Sequence, residues 1–138
     1  MIIAVSSLYG IWYIPIGGII TQIIGLLISG NGTTMLLAGM IEFHSVCKIS
    51  GMDSSKLVTT GIYKWSRNPQ FLGLYLALIG VSLTGQSGYA LLVTAMIIVL
   101  SHYYIIRIEE PYLERIFGEE YIKYKSKTPR YILKLKKK

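Results

Sequence analysis

Gly61-Ile-Tyr-Lys-Trp-Ser-Arg-Asn-Pro-Gln-Phe-Leu-Gly73 is a polar, aromatic stretch set between strongly apolar runs, and Arg107-Ile-Glu-Glu110 follows at the far end of the next such run. Residues 1–47 carry a single formal charge, Glu42, and residues 68–106 carry none. Ionisable side chains are costly in hydrocarbon, so the two polar clusters gather at a bilayer interface rather than inside a soluble core. Composition agrees: 52% of the 138 residues are hydrophobic and mean hydropathy is +0.50, more apolar surface than a soluble domain of this size hides. The fold class expected is all-α, a polytopic membrane protein of about four transmembrane helices with a C-terminal amphipathic interfacial helix. No segment alternates in the manner of a transmembrane barrel.

Towards the N-terminus, residues 2–30 form an apolar run in which Pro15 and Gly17-Gly18 predict a kink. The run exceeds a signal-peptide core and lacks a basic flank, so a retained span is expected. Asn31-Gly32 is a turn signal, and residues 33–49 then predict a second, shorter span, making residues 1–49 a helical hairpin. Residues 50–68 turn polar and are broken by Gly51, Asp53 and Gly61, which predicts a functional loop. Pro69 suits a first helical turn with Ser66 or Asn68 as cap, so residues 70–84 predict a third span. Gly85-Gln-Ser-Gly88 returns the chain, and residues 89–108 predict a fourth. Pro111 marks a break, beyond which Tyr112, Leu113, Ile116 and Phe117 recur on one face of a short surface helix.

Charge orients these elements. Of the 14 basic residues, those from Lys123 to Lys138 form a tail that accounts for most of the +7 balance, and Lys48, Lys56, Lys64 and Arg67 flank the middle loop. The two short turns are uncharged, so the positive-inside rule sets loop, tail and both termini in the cytoplasm. A basic juxtamembrane tail makes anionic membrane lipids its partner. It lacks the folded basic face with interleaved stacking positions that nucleic acid requires. The lone Cys47 excludes an intrachain disulfide framework, and His44 with Cys47 on one face does not make a metal site.

The middle loop reads Leu57-Val-Thr-Thr-Gly-Ile-Tyr63 and then Arg67-Asn-Pro-Gln-Phe-Leu-Gly73. Gly61 permits close backbone approach, Tyr63 and Phe71 offer flat faces for a purine, Arg67 can grip a carboxylate bidentately, and free amides below Pro69 can bind an anion. The same residues also suit an interfacial belt in which tyrosines, Trp65 and Arg67 anchor helix ends. Glu109 and Glu110, adjacent on a helix, point about 100 degrees apart, so one faces the site and the other solvent, with Arg107 as a local counter-charge. Tyr121 and Tyr124 share a helix face and can fold over a ligand.

In order, Leu-Val-Thr-Thr-Gly-x-Tyr, Arg-Asn-Pro-x-Phe-x-Gly, Glu-Glu, Phe-Gly-Glu-Glu-Tyr-x-x-Tyr and Pro-Arg, from Leu57 to Arg130, resemble the isoprenylcysteine carboxyl methyltransferase family of integral membrane enzymes. The resemblance implies a methyltransferase using S-adenosylmethionine, whose pocket lies on the cytoplasmic side under the C-terminal segment. Residues 50–130 would be the cofactor-binding catalytic half and residues 131–138 a basic tail, within one membrane domain. Leu57, Val58, Tyr63, Pro69 and Glu109 match the family's cofactor-contact positions, and Asn68, Gln70, Phe71 and Tyr121 join them. Arg67, Glu109 and Glu110 are the expected catalytic set. Asn68 stands where eukaryotic members have His, and Phe71 where they have Tyr, so no histidine-dependent step is available there. The Arg-Asn-Pro version is similar to prokaryotic relatives, which implies a prokaryotic plasma membrane.

Methyl transfer from a sulfonium asks a protein chiefly for orientation and exclusion of water. A carboxylate acceptor needs no base, whereas a thiol or amine would have to lose a proton, and no acid–base pair is readable in the spacing. The acceptor that the resemblance implies is a lipophilic small molecule or a lipid-linked, isoprenoid-type group bearing a carboxylate or thiol. A phospholipid headgroup N-methyltransferase, a sterol-type reductase relative and a non-catalytic membrane scaffold remain as alternatives. Glu42, an ionisable residue inside a span, is open to a substrate-contacting or a helix-pairing role.

Overall fold

The computed structural model describes Met1, residues 18–49 and residues 57–132, the side chains of residues 45–49 excepted. Every regular element among the described residues is helical: α1 (Ile19–Ile49), a 3-10 turn (Gly61–Lys64), α2 (Pro69–Thr84), α3 (Gly88–Tyr104), a π-helical turn (Ile105–Glu109), α4 (Glu110–Phe117) and α5 (Glu119–Lys127). Two stretches are long and apolar enough to cross a membrane, Ile19–His44 with 26 residues and Gly88–Phe117 with 30. Helix α2 is equally apolar in character but has only 16 residues.

The hairpin expected within residues 1–49 is not formed at Asn31-Gly32, because α1 runs straight through both residues. Asn31 bonds its own helix, Nδ2 donating to the Leu27 carbonyl at 2.9 Å, and the Thr33 and Thr34 hydroxyls do the same to Ser29 and Gly30. The turn signal fails because the glycine is required for helix packing. The kink expected at Pro15 lies outside the described residues.

The chain forms two compact units, Met1–Thr34 with Gly73–His102, and Met35–Leu72 with Tyr103–Lys138. In the first, α1 and α2 meet along small residues. A Cβ at Gly32 would lie 2.3 Å from the Ala77 amide nitrogen, one at Gly25 2.6 Å from that of Thr84, and one at Gly80 2.3 Å from that of Ser29. Backbones in such contact leave no room for larger side chains, the small-residue mode of helix pairing in bilayers. Between α2 and α3, Ser82 bonds Thr94 at 3.2 Å and the Tyr75 hydroxyl bonds Ser101 at 2.8 Å. The return at residues 85–88 forms as expected, with the Ser87 hydroxyl accepting from the Ala90 amide at 3.3 Å.

Burial in this unit is inverted relative to a soluble domain. Ser82, Ser87 and Thr94 are buried, while Ile19, Leu26, Val99 and Leu100 are each more than 60% exposed. Apolar surface outward and small polar groups inward is the pattern of helices solvated by lipid.

Candidate active site

The second unit holds both polar clusters. Thr60 is extended and Gly61 takes a left-handed φ of +55°, a combination that lets the chain reverse into the 3-10 turn without a Cβ collision. The turn sends Tyr63 inward, where its hydroxyl accepts from Gln70 Nε2 at 3.0 Å. The same amide donates to the Gly39 carbonyl of α1 at 3.3 Å. At Asn68 the carbonyl accepts the first bond of α2 from Leu72, and the Asn68 amide donates to Ser66 Oγ, so both anticipated cap residues shape this helix start.

The other side of the site comes from the end of α3. Pro111 does not break the helix as expected; the backbone widens instead into one π-helical turn, Glu110 N–H donating to the Ile105 carbonyl five residues back. Glu109 and Glu110 then diverge. Glu110 is buried and collects Arg67 Nη1 at 3.1 Å, Arg130 Nε at 2.7 Å, Arg130 Nη2 at 3.0 Å and Lys125 Nζ at 3.3 Å. It therefore faces a cluster of cations rather than solvent, and Arg107 lies over the Tyr103 ring instead of beside it.

Glu110 ties down the C-terminal segment. The amides of Arg67 and Asn68 donate to the carbonyls of Pro129 and Arg130 at 2.9 and 3.2 Å, and Ser66 Oγ donates to Arg130 at 3.1 Å. From α5, the Tyr124 hydroxyl donates to the Tyr63 carbonyl at 2.7 Å, and Tyr121 accepts from Arg67 Nη1 at 3.2 Å. Burial pushes both phenols above their ordinary range, so they stay protonated at neutral pH. Hydrogen bonding to Glu110 raises Arg130, and hydrogen bonding to Glu114 raises Lys125, which keeps both cationic.

Loop, α2 and π turn together border a half-open chamber of about 190 Å³ and mixed polarity, lined by Phe43, Val58, Tyr63, Arg67, Asn68, Gln70, Phe71 and Glu109. An apolar cavity of about 580 Å³ shares Phe43, Val58, Phe71 and Glu109 with it and continues along Leu57, Tyr104, Ile108, Tyr112, Leu113 and Phe117. Among the described residues, the buried side-chain polar atoms lacking any hydrogen-bond partner are Arg67 Nε and Glu109 Oε2. Both belong to residues lining the chamber. Arg67 and Glu109 thus bring one basic and one acidic side chain, each with an unpartnered buried atom, to the lining of this candidate ligand chamber.

Of the residues expected from the sequence, Val58, Tyr63, Arg67, Asn68, Gln70, Phe71 and Glu109 line the chamber and Leu57 lines the larger cavity. Pro69, Glu110 and Tyr121 line neither: Pro69 starts α2, while Glu110 and Tyr121 stand behind Arg67 and hold it. Phe43, Tyr104 and Ile108 were missed. Phe43 carries only a faint signal, its position next to the single charge in an apolar run.

The phospholipid methyltransferase family model matches residues 17–120. The chain belongs to the phospholipid methyltransferase family. Among relatives of this family member, protein-S-isoprenylcysteine O-methyltransferase of Saccharomyces cerevisiae is 38% identical over 89 residues, which are 63% of this chain and 36% of that protein. Protein-S-isoprenylcysteine O-methyltransferase B of Arabidopsis thaliana is 27% identical over 118 residues, 86% and 58% of the two chains. The Homo sapiens protein-S-isoprenylcysteine O-methyltransferase is 32% identical over 120 residues, 78% and 39%. The chain thus spans about a third to three fifths of the length of these relatives. They bear out the resemblance to isoprenylcysteine carboxyl methyltransferases carried by the motifs. No solved structure matches the chain significantly.

Proposed function

We propose that this family member is a membrane-embedded S-adenosylmethionine-dependent methyltransferase that esterifies the carboxylate of an isoprenylated or similarly lipophilic acceptor. The observation that carries this reading is that Arg67 and Glu109, each with an unpartnered buried atom, line one chamber together. The methionyl end of the donor is a zwitterion, and a guanidinium with a carboxylate is its complement. The residues present therefore fit the cofactor. Arg67 would hold the carboxylate and Glu109 the ammonium, with Val58, Tyr63 and Phe71 as apolar walls and Asn68 and Gln70 as polar contacts.

S-adenosylmethionine, when bound, supplies a methyl group on a positively charged sulfur. The chain's own work is orientation and exclusion of water. Arg67 is held rigid for that task by Glu110 and Tyr121, and the docked C-terminal segment helps to close the site. An acceptor carboxylate is already ionised at neutral pH and needs no base to react. The 580 Å³ cavity is of ligand size and mostly apolar, which favours a hydrocarbon-bearing acceptor over a polar headgroup amine.

In the bilayer, Ile19–His44, α2 and the apolar part of Gly88–Phe117 would cross, with α4 and α5 at the interface. The first two of the four crossings expected, residues 2–30 and 33–49, are one continuous helix from residue 19 to residue 49. Lys64, Arg67 and the basic segment beyond Lys123 favour the cytoplasmic face for the site, in a prokaryotic plasma membrane. Calorimetric titration of detergent-purified protein with S-adenosylmethionine, and separately with NADPH, tests the cofactor. Labelled methyl transfer to an S-prenylated cysteine, compared with an aminophospholipid, tests the acceptor. NADPH binding without S-adenosylmethionine binding would move the protein to the reductases.

A further inference from the structure

We infer that Glu42 is a positioning residue for this chamber: from an otherwise uncharged stretch of helix it grips Thr60 and Gly61, and so fixes the loop that supplies Val58 and Tyr63. The inference rests on reading the chamber as the cofactor site. A carboxylate in an apolar helix is costly unless it has a definite partner. Glu42 has two. Thr60 Oγ1 donates to its Oε1 at 2.5 Å, and the carboxylate lies against the α-carbon of Gly61. A Cβ placed there would be 2.6 Å from Glu42 Cδ and 2.8 and 2.9 Å from its two oxygens, so only glycine leaves the carboxylate its seat.

One turn earlier on the same helix face, the Gly39 carbonyl accepts from Gln70 Nε2, which also donates to the Tyr63 hydroxyl. Tyr63 is thus fixed at both ends from α1: at its backbone through the Gly61 turn, and at its hydroxyl through Gln70. Phe43, next to Glu42, lines the chamber, whereas Glu42 does not. Removing the carboxylate should therefore loosen the wall and weaken donor binding while leaving transfer at saturating donor intact.

The test uses the full chain in detergent with Glu42→Ala, Glu42→Gln and Gly61→Ala. Hydrogen exchange at the Tyr63 amide, which donates to the Thr60 carbonyl at 3.0 Å, is read without ligand. The donor dissociation constant, KM and kcat are read with S-adenosylmethionine. Glu42→Ala is expected to speed exchange and raise the donor KM by about fivefold, with kcat within about twofold of wild type. Glu42→Gln keeps an acceptor for Thr60 and should restore both, and Gly61→Ala should match Glu42→Ala. Unchanged exchange and affinity in Glu42→Ala, or a fall in kcat at unchanged affinity, would overturn the inference. If wild type binds no S-adenosylmethionine, the cofactor reading fails, and exchange alone decides the role of Glu42. Should Glu42→Ala not fold, Thr60→Val removes the hydroxyl alone and carries the same expectations.

Discussion

Glu110→Gln removes the negative charge on which Arg67, Arg130 and Lys125 converge at 3.1, 2.7 and 3.3 Å. The Glu110 side chain is 5% exposed and that of Arg130, its two-bond partner in the C-terminal segment, 29%, so this pair is largely shielded; Lys125, at 37%, is discounted for solvent screening. Breaking a buried pair by removing one partner costs roughly 3–5 kcal/mol, and Gln keeps one acceptor oxygen, which favours the lower end, about 3 kcal/mol. That energy holds the C-terminal segment against the loop, and its loss multiplies the undocked population roughly a hundredfold. The Arg67 and Asn68 amides, which donate to Pro129 and Arg130, report undocking directly by hydrogen exchange. Their exchange should accelerate by about two decades in Glu110→Gln. Glu109→Gln removes no partner of its unpaired oxygen, so exchange should stay within about twofold of wild type while donor affinity falls. Exchange in Glu110→Gln within twofold of wild type, or equal acceleration in Glu109→Gln, would refute the division of labour between the two glutamates.

Arg67→Lys supplies one compact ammonium where a fork now serves Glu110, Tyr121 and the chamber, so donor affinity by calorimetry should fall by about tenfold or more despite the retained charge. Gly32→Ala drives a Cβ to 2.3 Å from the Ala77 backbone and should cost about 1–3 kcal/mol, read as a lower thermal midpoint; Gly30→Ala meets nothing within 4 Å and should be neutral or better. Tyr121, Tyr124 and Lys125 have folded pKa values raised above their ordinary ones. Their contribution to C-terminal docking is complete below pH 10 and is lost as pH rises through the folded values. Tyr124→Phe should shallow that alkaline loss of amide protection and cost about 1 kcal/mol at neutral pH.

Much of the site was legible because its signals are local. Arg67, Asn68, Gln70 and Phe71 sit in one turn around Pro69, and a helix start places such neighbours around one opening whatever surrounds it. The helical class and the return at residues 85–88 followed from apolar length and turn chemistry. Asn31-Gly32 misled because a glycine signals both a turn and a close helix contact, and only the partner helix, through Ala77, distinguishes them. The pairing of Glu110 with Arg130 and of Glu42 with Thr60 joins residues far apart in sequence, and no local pattern encodes such contacts.

The π-helical turn shows how one helix carries both an exposed apolar face and a buried polar cluster. Pro111 has no N–H, and its ring would collide with the Arg107 carbonyl in a regular α-helix, so the chain must break or widen there. It widens, and the one extra residue in the turn shifts the register of the side chains that follow it by one position. Ahead of the turn, Met96, Val99 and Leu100 point outward; within it Ile105 is wholly buried; at its end Glu109 meets the chamber and Glu110 the cation cluster. On a regular helix Glu110, eleven residues after Val99, would fall about 20° from it and share the exposed face. With the change of register, adjacent glutamates reach separate surroundings from one turn, Glu109 the chamber and Glu110 the cation cluster.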